Sequence, residues 1–122
     1  MAPYRIAVTT SDGTHIDLHF GHADHFLILE ADDTGAWCEV EYRAAPADPA
    51  DGEGAEAKDG LHRHDDGRFE RIADALADTD YLLTQRIGPR PHRILMQRGI
   101  SALESPEDLS EAIAALIRWR TR

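Results

Sequence analysis

The sequence has a single cysteine, Cys38, among its 122 residues. One thiol excludes a disulfide within the chain and any zinc or iron–sulfur site built from several thiolates of one chain. Long hydrophobic runs are also missing, because no stretch approaches the roughly 18 apolar residues that a membrane span needs. No basic, apolar leader precedes Asp12, so no signal peptide is expected. We therefore expect a cytoplasmic protein without a membrane partner.

Basic residues are scarce compared with acidic ones. Lysine and arginine number 13 against 23 aspartates and glutamates, which gives a formal net charge of −10 with neutral histidines. A field of this sign repels phosphate backbones and excludes nucleic acid as an expected partner. Hydrophobic residues make up 42% and charged residues 30%. This balance and length predict a single globular domain over residues 1–122.

Three strands are predicted in the first half of the chain. Residues 4–10 are rich in β-branched side chains, and residues 26–30 are nearly all apolar, as in a strand buried on both faces. A hairpin turn at residues 32–35 joins the second strand to an antiparallel third. Residues 37–43 alternate, which predicts a half-exposed strand with Trp37, Glu39 and Glu41 on one face and Cys38, Val40 and Tyr42 on the other.

The next segment, residues 45–60, combines prolines, glycines, alanines and acidic residues without a large apolar side chain. Such a composition cannot contribute to a core and predicts a mobile loop.

The second half alternates helices with strands. Apolar residues at helical spacing predict a helix after residue 65, and residues 81–84 predict a short strand. A turn at residues 88–91 opens the next helix, which ends at Gly99, and residues 100–103 form the last strand. Ser105 as N-cap and Pro106 at the first helical position predict the start of the final helix.

This order, β-β-β-α-β-α-β-α, predicts an α/β fold with one mixed five-stranded sheet flanked by helices. The alternation in the second half requires parallel strands joined by right-handed crossovers, whereas the first half supplies an antiparallel meander. The order of elements matches that of ribonuclease-H-like folds.

Four of the seven histidines lie within eleven residues, at His15, His19, His22 and His25. We call residues 15–25 the histidine loop. Alternation from residue 15 to residue 20 is expected to point His15, Asp17 and His19 one way, and Gly21 is expected to allow a sharp bend. Neutral imidazole is a common ligand of zinc, iron, nickel and copper. The four histidines are therefore candidate metal ligands, and a polar, solvated loop is the alternative.

A second candidate group is the turn from residue 84 to residue 92, which leaves a strand and enters a helix. Free N–H groups at a helix N-terminus attract anions, and Arg86 and Arg90 add positive charge. Arg86 and Gly88 are candidate cofactor-binding residues, and a capping turn with solvated arginines is the alternative. Because the first and fourth strands are expected to be parallel neighbours, this turn and the histidine loop should flank one crevice. Imidazoles facing anion-stabilising donors suit an anionic metal cluster better than a bare cation.

These residues resemble the dinitrogenase iron–molybdenum cofactor biosynthesis family, which includes NifX-like proteins and the C-terminal domain of NifB. The resemblance covers nearly the whole chain apart from residues 45–60. The strings that carry it are Ile6-Ala7-Val8, Ser11-Asp12-Gly13, Asp17-Leu18-His19-Phe20-Gly21-His22-Ala23 with Phe26, Arg86-Ile87-Gly88 with Pro91, and Arg98-Gly99-Ile100.

The resemblance implies a ribonuclease-H-like fold and a non-catalytic carrier that binds iron–molybdenum cofactor or its iron–sulfur precursor. It implies His19 as the cofactor ligand and His22 as the second, and cofactor biosynthesis or nitrogenase proteins as partners. Imidazole must be neutral to bind a metal, so the protein should bind less cofactor at pH values below about 6.

Two other functions stay open at this point. One is a small regulatory or partner-binding module with a zinc or nickel site in the histidine loop. The other is a metal-dependent nuclease, but its two metal ions need converging carboxylates, and residues 81–84 carry none. An exposed sheet edge could pair two copies as a homodimer.

Overall fold

The structure is a computed structural model that describes residues 3–46, 65–105 and 107–121, without the side chains of His22, Asp65 and Asp66. The described residues follow the predicted order of elements, with one short 3-10 turn at Phe20–His22. The elements are β1 Tyr4–Val8, β2 His25–Ala31, β3 Trp37–Ala44, α1 Asp65–Ala75, β4 Tyr81–Thr84, α2 Pro89–Gln97, β5 Ser101–Glu104 and α3 Leu109–Thr121.

One five-stranded sheet with the strand order β3-β2-β1-β4-β5 forms the centre of the fold. The β1–β2 and β2–β3 pairs are antiparallel, and the β1–β4 and β4–β5 pairs are parallel. The predicted α/β class and mixed sheet are therefore confirmed. No helix in the described part of the chain is long and apolar enough to cross a membrane.

Apolar side chains cover both faces of this sheet. Ala7 of β1 belongs to a core with α1 and α2, whereas Ile6 and Val8 belong to a second core with α3. The split follows from the strand period of two, which sends neighbouring residues to opposite faces. The central strands β1 and β4 are nearly all buried as a result.

The outer strand β3 differs from the sequence prediction. Leu29 pairs with Glu39 and Ile28 with Glu41, so Val40 is an extra, bulged residue. A bulge reverses the alternation beyond it, and Tyr42 therefore shares its face with Glu39 rather than with Cys38. The predicted faces are correct for residues 37–39 and wrong for Glu41 and Tyr42. The strand is also mostly exposed rather than half-exposed.

The final helix begins later than predicted. Its first residue is Leu109, and the carboxylate of Asp108 accepts a hydrogen bond from the N–H of Glu111 at 3.3 Å. Asp108 is thus the N-cap, and the prediction of Ser105 is wrong. Pro106 lies outside the described residues.

The late start has a physical cause. The N–H of Leu109 donates to the carbonyl of Thr14, and the N–H of Ile16 donates to the carbonyl of Glu107. These tertiary hydrogen bonds take the backbone groups that an earlier helical turn would need. They also fasten the start of the histidine loop to α3.

The loop predicted at residues 45–60 lies mostly outside the described residues. Ala45, its first residue, donates its N–H to the carbonyl of Asp24 at 2.9 Å and packs against the core beside α1 and α2. The prediction that the segment contributes nothing to a core is therefore wrong at Ala45.

Candidate functional site

The histidine loop lies against the carboxyl end of the sheet with its polar side chains outward. His15, Asp17 and His19 are exposed, whereas Ile16 and Phe20 are buried. The predicted alternation is confirmed. Burial of the apolar side chains holds the imidazole of His19 at the surface.

Two buried threonines fix this loop to the sheet. The hydroxyls of Thr9 and Thr84, both fully buried, lie 2.8 Å apart, and they lie 2.8 and 3.1 Å from the carbonyl oxygen of Leu18. The N–H of Gln85 donates to the same oxygen at 3.1 Å. Donors from the ends of β1 and β4 therefore converge on the residue that precedes His19.

His19 and Arg86 are neighbours in an isolated parallel bridge, because the N–H of Phe20 donates to the carbonyl of Arg86 at 2.9 Å. Both side chains are exposed. The prediction that the histidine loop and the turn at Arg86–Gly88 meet beside the ends of β1 and β4 is confirmed. We call this region the crevice. It lies at the carboxyl ends of these parallel strands, where open α/β sheets usually bind ligands.

The N-terminus of α2 is a poorer anion site than its sequence position indicates. Pro89 and Pro91 lack N–H groups, and the N–H of His92 donates to the carbonyl of Gly88 at 3.1 Å. The N–H of Ile87 donates to the carboxylate of Glu104 at 3.0 Å. Of the N–H groups at this turn that are expected to attract an anion, those of Ile87 and His92 are therefore occupied, and Pro89 and Pro91 supply none. Arg86 supplies an exposed guanidinium there.

Two glycines flank the crevice without a conformational need for glycine. Gly88 has a φ of −76°, and a Cβ there would lie 3.8 Å from the nearest atom of Pro91. Gly21 does not have a positive φ, and a Cβ there would meet nothing within 4 Å. The sequence predicts that Gly21 allows a sharp bend. The chain does turn at Gly21, but in an ordinary 3-10 turn that does not require glycine. A side chain at Gly21 would therefore enter open space, whereas one at Gly88 would contact Pro91.

The remaining candidate histidines have other partners. His15 lies 3.0 Å from the carboxylate of Asp12, which also accepts the N–H groups of Thr14 and His15. The hydrogen bond from His15 holds the pKa of Asp12 well below its usual range, and Asp12 raises the pKa of His15. This pair closes the turn that begins the histidine loop.

His25 stacks on the ring of Tyr42, with centroids 4.7 Å apart, and its Nδ1 lies 3.3 Å from Asp24. The side chain of His22 lies outside the described residues. Among the side chains that are described, no group of three or more His, Cys, Asp or Glu could hold a metal ion. The liganding role of the four histidines stays a prediction, and of these only His19 is seen beside Arg86.

One arginine at the crevice was missed by sequence reasoning. Arg68 of α1 donates to the carbonyl of Gly21 at 3.2 Å, which brings a second guanidinium to the histidine loop. No sequence motif marks this residue, since its position depends on how α1 crosses the sheet. Arg90 instead lies over the ring of Phe69, 5.6 Å from its centroid, and 3.9 Å from Glu70.

Cys38 lies at the opposite end of the sheet. It is exposed and pairs with Glu30, which in turn pairs with Arg5 near the start of β1. Four residues of strand, about 13 Å, separate the level of Arg5 from that of Thr9 at the crevice. The thiol therefore does not reach His19 within one chain.

Comparison with known proteins identifies the family. The model of the dinitrogenase iron–molybdenum cofactor family matches residues 2–118. The chain belongs to this family. Its members include NifB-type and NifX-type proteins involved in iron–molybdenum cofactor biosynthesis.

Related sequences agree with this membership. The chain is 36% identical over 117 residues to the iron–molybdenum cofactor biosynthesis protein NifB of Rhodobacter capsulatus, covering 94% of this chain and 24% of that protein. It is 33% identical over 114 residues to NifB of Sinorhizobium fredii, covering 92% of this chain and 21% of that protein. The chain thus spans less than a quarter of the length of these curated relatives.

Solved structures share the fold of this family member over almost their whole length. The orange protein of Desulfovibrio gigas, in its apo form, matches with a TM-score of 0.64 at 25% identity, covering 98% of this chain and 91% of the other. The crystal structure of PH0822 also matches with a TM-score of 0.64, at 20% identity, covering 94% and 90%. At these identities the likeness is one of fold.

Proposed function

We propose that this protein is a non-catalytic carrier that binds iron–molybdenum cofactor, or its iron–sulfur precursor, as cargo. His19 is the ligand, His22 is the second ligand, and Arg86 balances the charge of the cluster. The observation that carries the proposal is the juxtaposition of His19 with Arg86 at the crevice. Membership of the family agrees with it.

The chemistry of the crevice fits an anionic cargo. Arg86 is exposed, and no described residue forms an ion pair with it. Arg68 adds a second guanidinium at Gly21. Guanidinium groups form strong, directional hydrogen bonds to anions, and here they stand out in a protein of net charge −10. A bare metal cation would be repelled by these arginines.

The donor set also fits a cargo that must be released. Resident iron–sulfur clusters are usually held by several thiolates, and the single thiol of this chain lies at the far end of the sheet. One or two imidazoles with arginines bind a cluster more weakly than several thiolates do. Weaker binding suits delivery of the cluster to cofactor biosynthesis or nitrogenase proteins, which we propose as the partners.

Other functions gain less support. The zinc or nickel alternative finds no three-ligand group among the described side chains. For a nuclease, Asp12 and Asp17 are the nearby carboxylates, and both are engaged in hydrogen bonds within their own loop. Neither observation favours a bound zinc or nickel ion or the catalytic metal ions of a nuclease.

An anaerobic binding experiment tests the proposal. Metal-free protein is mixed with isolated iron–molybdenum cofactor, and separately with its precursor, then gel-filtered and assayed for co-eluting iron. We expect the wild type to retain iron and His19→Ala to lose most of it. His92→Ala removes an imidazole from outside the histidine loop, in α2, and is the matched control, expected to load like the wild type.

Two outcomes contradict the proposal. One is that the wild type retains no iron under conditions that would detect binding tighter than about 10 µM, roughly 7 kcal/mol. The other is equal loading of His19→Ala and the wild type. Histidine ligation also predicts less loading at about pH 5.5 than at about pH 7.5, on either side of the ordinary histidine pKa.

A further inference from the structure

A second concave surface lies on the face of the sheet that carries α3. This groove, with a volume of about 520 Å³, runs between the loop of residues 11–14 and the outer strands. Leu27 of β2 forms its apolar floor, and Glu39 and Tyr42 of β3 form its outer wall. The bulge at Val40 creates this wall, because it returns Tyr42 to the face that already carries Glu39.

The aromatic wall of the groove is exposed and fixed. Tyr42 is 58% exposed, yet its ring stacks on His25 with an interplanar angle of 7°. Since His25 covers one face of the ring, the other face is available to a ligand. A rigid, exposed tyrosine is a typical anchor for binding, because little side-chain entropy remains to be lost.

The charge of the groove is negative on both sides. Glu39 contributes a carboxylate from β3, and Asp12 contributes one from the loop whose oxygens already accept hydrogen bonds from Thr14 and His15. The described residues that line the groove include no lysine or arginine. No described residue bonds to the carboxylate of Glu39. The Glu39 carboxylate beside the exposed aromatic face, with the negative charge of Asp12 across the groove, is complementary to a cation that is also flat and partly apolar.

We propose that this groove binds an arginine side chain of a partner protein. A guanidinium hydrogen-bonds to carboxylates through its edge and stacks on an aromatic ring through its face, which a lysine ammonium cannot do. The segment of residues 47–64 is a poor source of the occupant, because its five acidic residues outnumber its two basic ones, Lys58 and Arg63. This inference does not depend on what the crevice binds.

The groove also has a position that suits a partner of a carrier. Residues 11–14 form its inner wall and lead directly into the histidine loop at His15. A protein docked through an arginine here would lie beside the crevice that holds His19. The two surfaces share one loop but use different side chains.

A peptide titration tests the proposal. The peptide acetyl-Gly-Arg-Gly-amide is added to the full chain, and backbone amide chemical shifts are followed by NMR. A ligand of this size should bind with a dissociation constant of about 1–10 mM. The shifted amides should include Asp12, Leu27, Glu39 and Tyr42. The citrulline peptide keeps the shape without the charge and should bind much more weakly.

Variants locate the binding. Glu39→Gln and Tyr42→Leu should each weaken binding about fivefold, whereas Tyr42→Phe should retain it. Glu41→Gln makes the same charge change on the opposite face of β3 and is the matched control.

Equal binding of arginine and citrulline peptides, or equal weakening by Glu39→Gln and Glu41→Gln, overturns the proposal. A second copy of the chain as occupant would overturn it too, and would appear as dimerisation in light scattering that Glu39→Gln abolishes.

Discussion

At the residue scale, two hydroxyl groups decide where the histidine loop lies. Thr9 and Thr84 are fully buried at the carboxyl ends of β1 and β4, and both reach the carbonyl of Leu18. A buried carbonyl or hydroxyl without a partner costs about 1–3 kcal/mol. The hydroxyl pair therefore stabilises one position of His19 beside Arg86.

Replacing the hydroxyl of Thr84 by a methyl group tests this role. Thr84→Val keeps the shape but removes the hydroxyl that bonds to both the Thr9 hydroxyl and the Leu18 carbonyl, so the free energy of unfolding should fall by about 1–2 kcal/mol. Thr84→Ser keeps the hydroxyl and should cost less. Urea denaturation measures both values. If valine is tolerated as well as serine, the hydroxyl pair does not hold the loop.

The pair of Asp12 and His15 predicts a pH dependence of stability. Because the pKa of His15 is raised in the folded protein, the stability that His15 contributes is complete below pH 6.5, its ordinary pKa. That stability is lost as the pH rises through the raised pKa. Because the pKa of Asp12 is lowered, the stability that Asp12 contributes is complete above pH 3.8, its ordinary pKa, and is lost as the pH falls through the lowered pKa. The pair should stabilise the fold most between these two values.

Comparison of the wild type with His15→Gln checks this window. The loss of unfolding free energy caused by the substitution should be larger near pH 5.5 than near pH 8.5, two conditions on either side of the ordinary histidine pKa of about 6.5. Urea denaturation at both pH values provides the measurement, with His92→Gln as control. A loss that is the same at both pH values would show that the ion pair does not form.

At the scale of elements, the start of α3 shows how tertiary contacts displace a sequence signal. Ser105-Pro106-Glu107 is a strong start signal. The backbone at residues 107–109 nevertheless bonds to residues 14–16 of the histidine loop. The helix can therefore begin only after these bonds, with Asp108 as its cap.

The two candidate caps can be compared directly. Asp108→Ala should lower the free energy of unfolding by about 1 kcal/mol, because it removes the acceptor for the N–H of Glu111. Ser105→Ala should change it by less than about 0.5 kcal/mol, the usual range for surface substitutions. Thermal or urea unfolding of the two variants gives the difference. A larger loss for Ser105→Ala would place the cap at the position that the sequence predicts.

At the scale of the whole molecule, sheet topology separates the thiol from the crevice. The order β3-β2-β1-β4-β5 and the register of its strands put Cys38 level with the start of β1, whereas His19 lies past the end of β1. The two groups therefore cannot share a cluster bound within one chain.

Cys38→Ser should consequently retain as much iron as the wild type in the cofactor-binding experiment. The serine also keeps the size of the side chain at an exposed edge position, so the fold should be unaffected. Iron assay after anaerobic gel filtration gives the answer. Loss of iron from this variant would move the cargo site away from the crevice, or would require a second copy of the chain.

Much of the fold and part of the site could be predicted from the sequence. The order of the elements and the class of sheet follow from apolar periodicity and turn residues, which are local properties. The meeting of His19 and Arg86 followed from a rule of topology, that parallel neighbouring strands end at one edge. Arg68 could not be predicted, because its contact with Gly21 depends on the packing of a distant helix.

The sequence by itself determined the apolar pattern of the strands and helices, the exposure of His15 and His19 and the negative charge of the chain. Only the tertiary structure decided the bulge at Val40, the start of α3 and the partners of each polar group. The physical reason is that hydrophobic patterning acts over a few residues. Hydrogen bonds and ion pairs between distant segments form only when the packed sheet and helices bring those segments together.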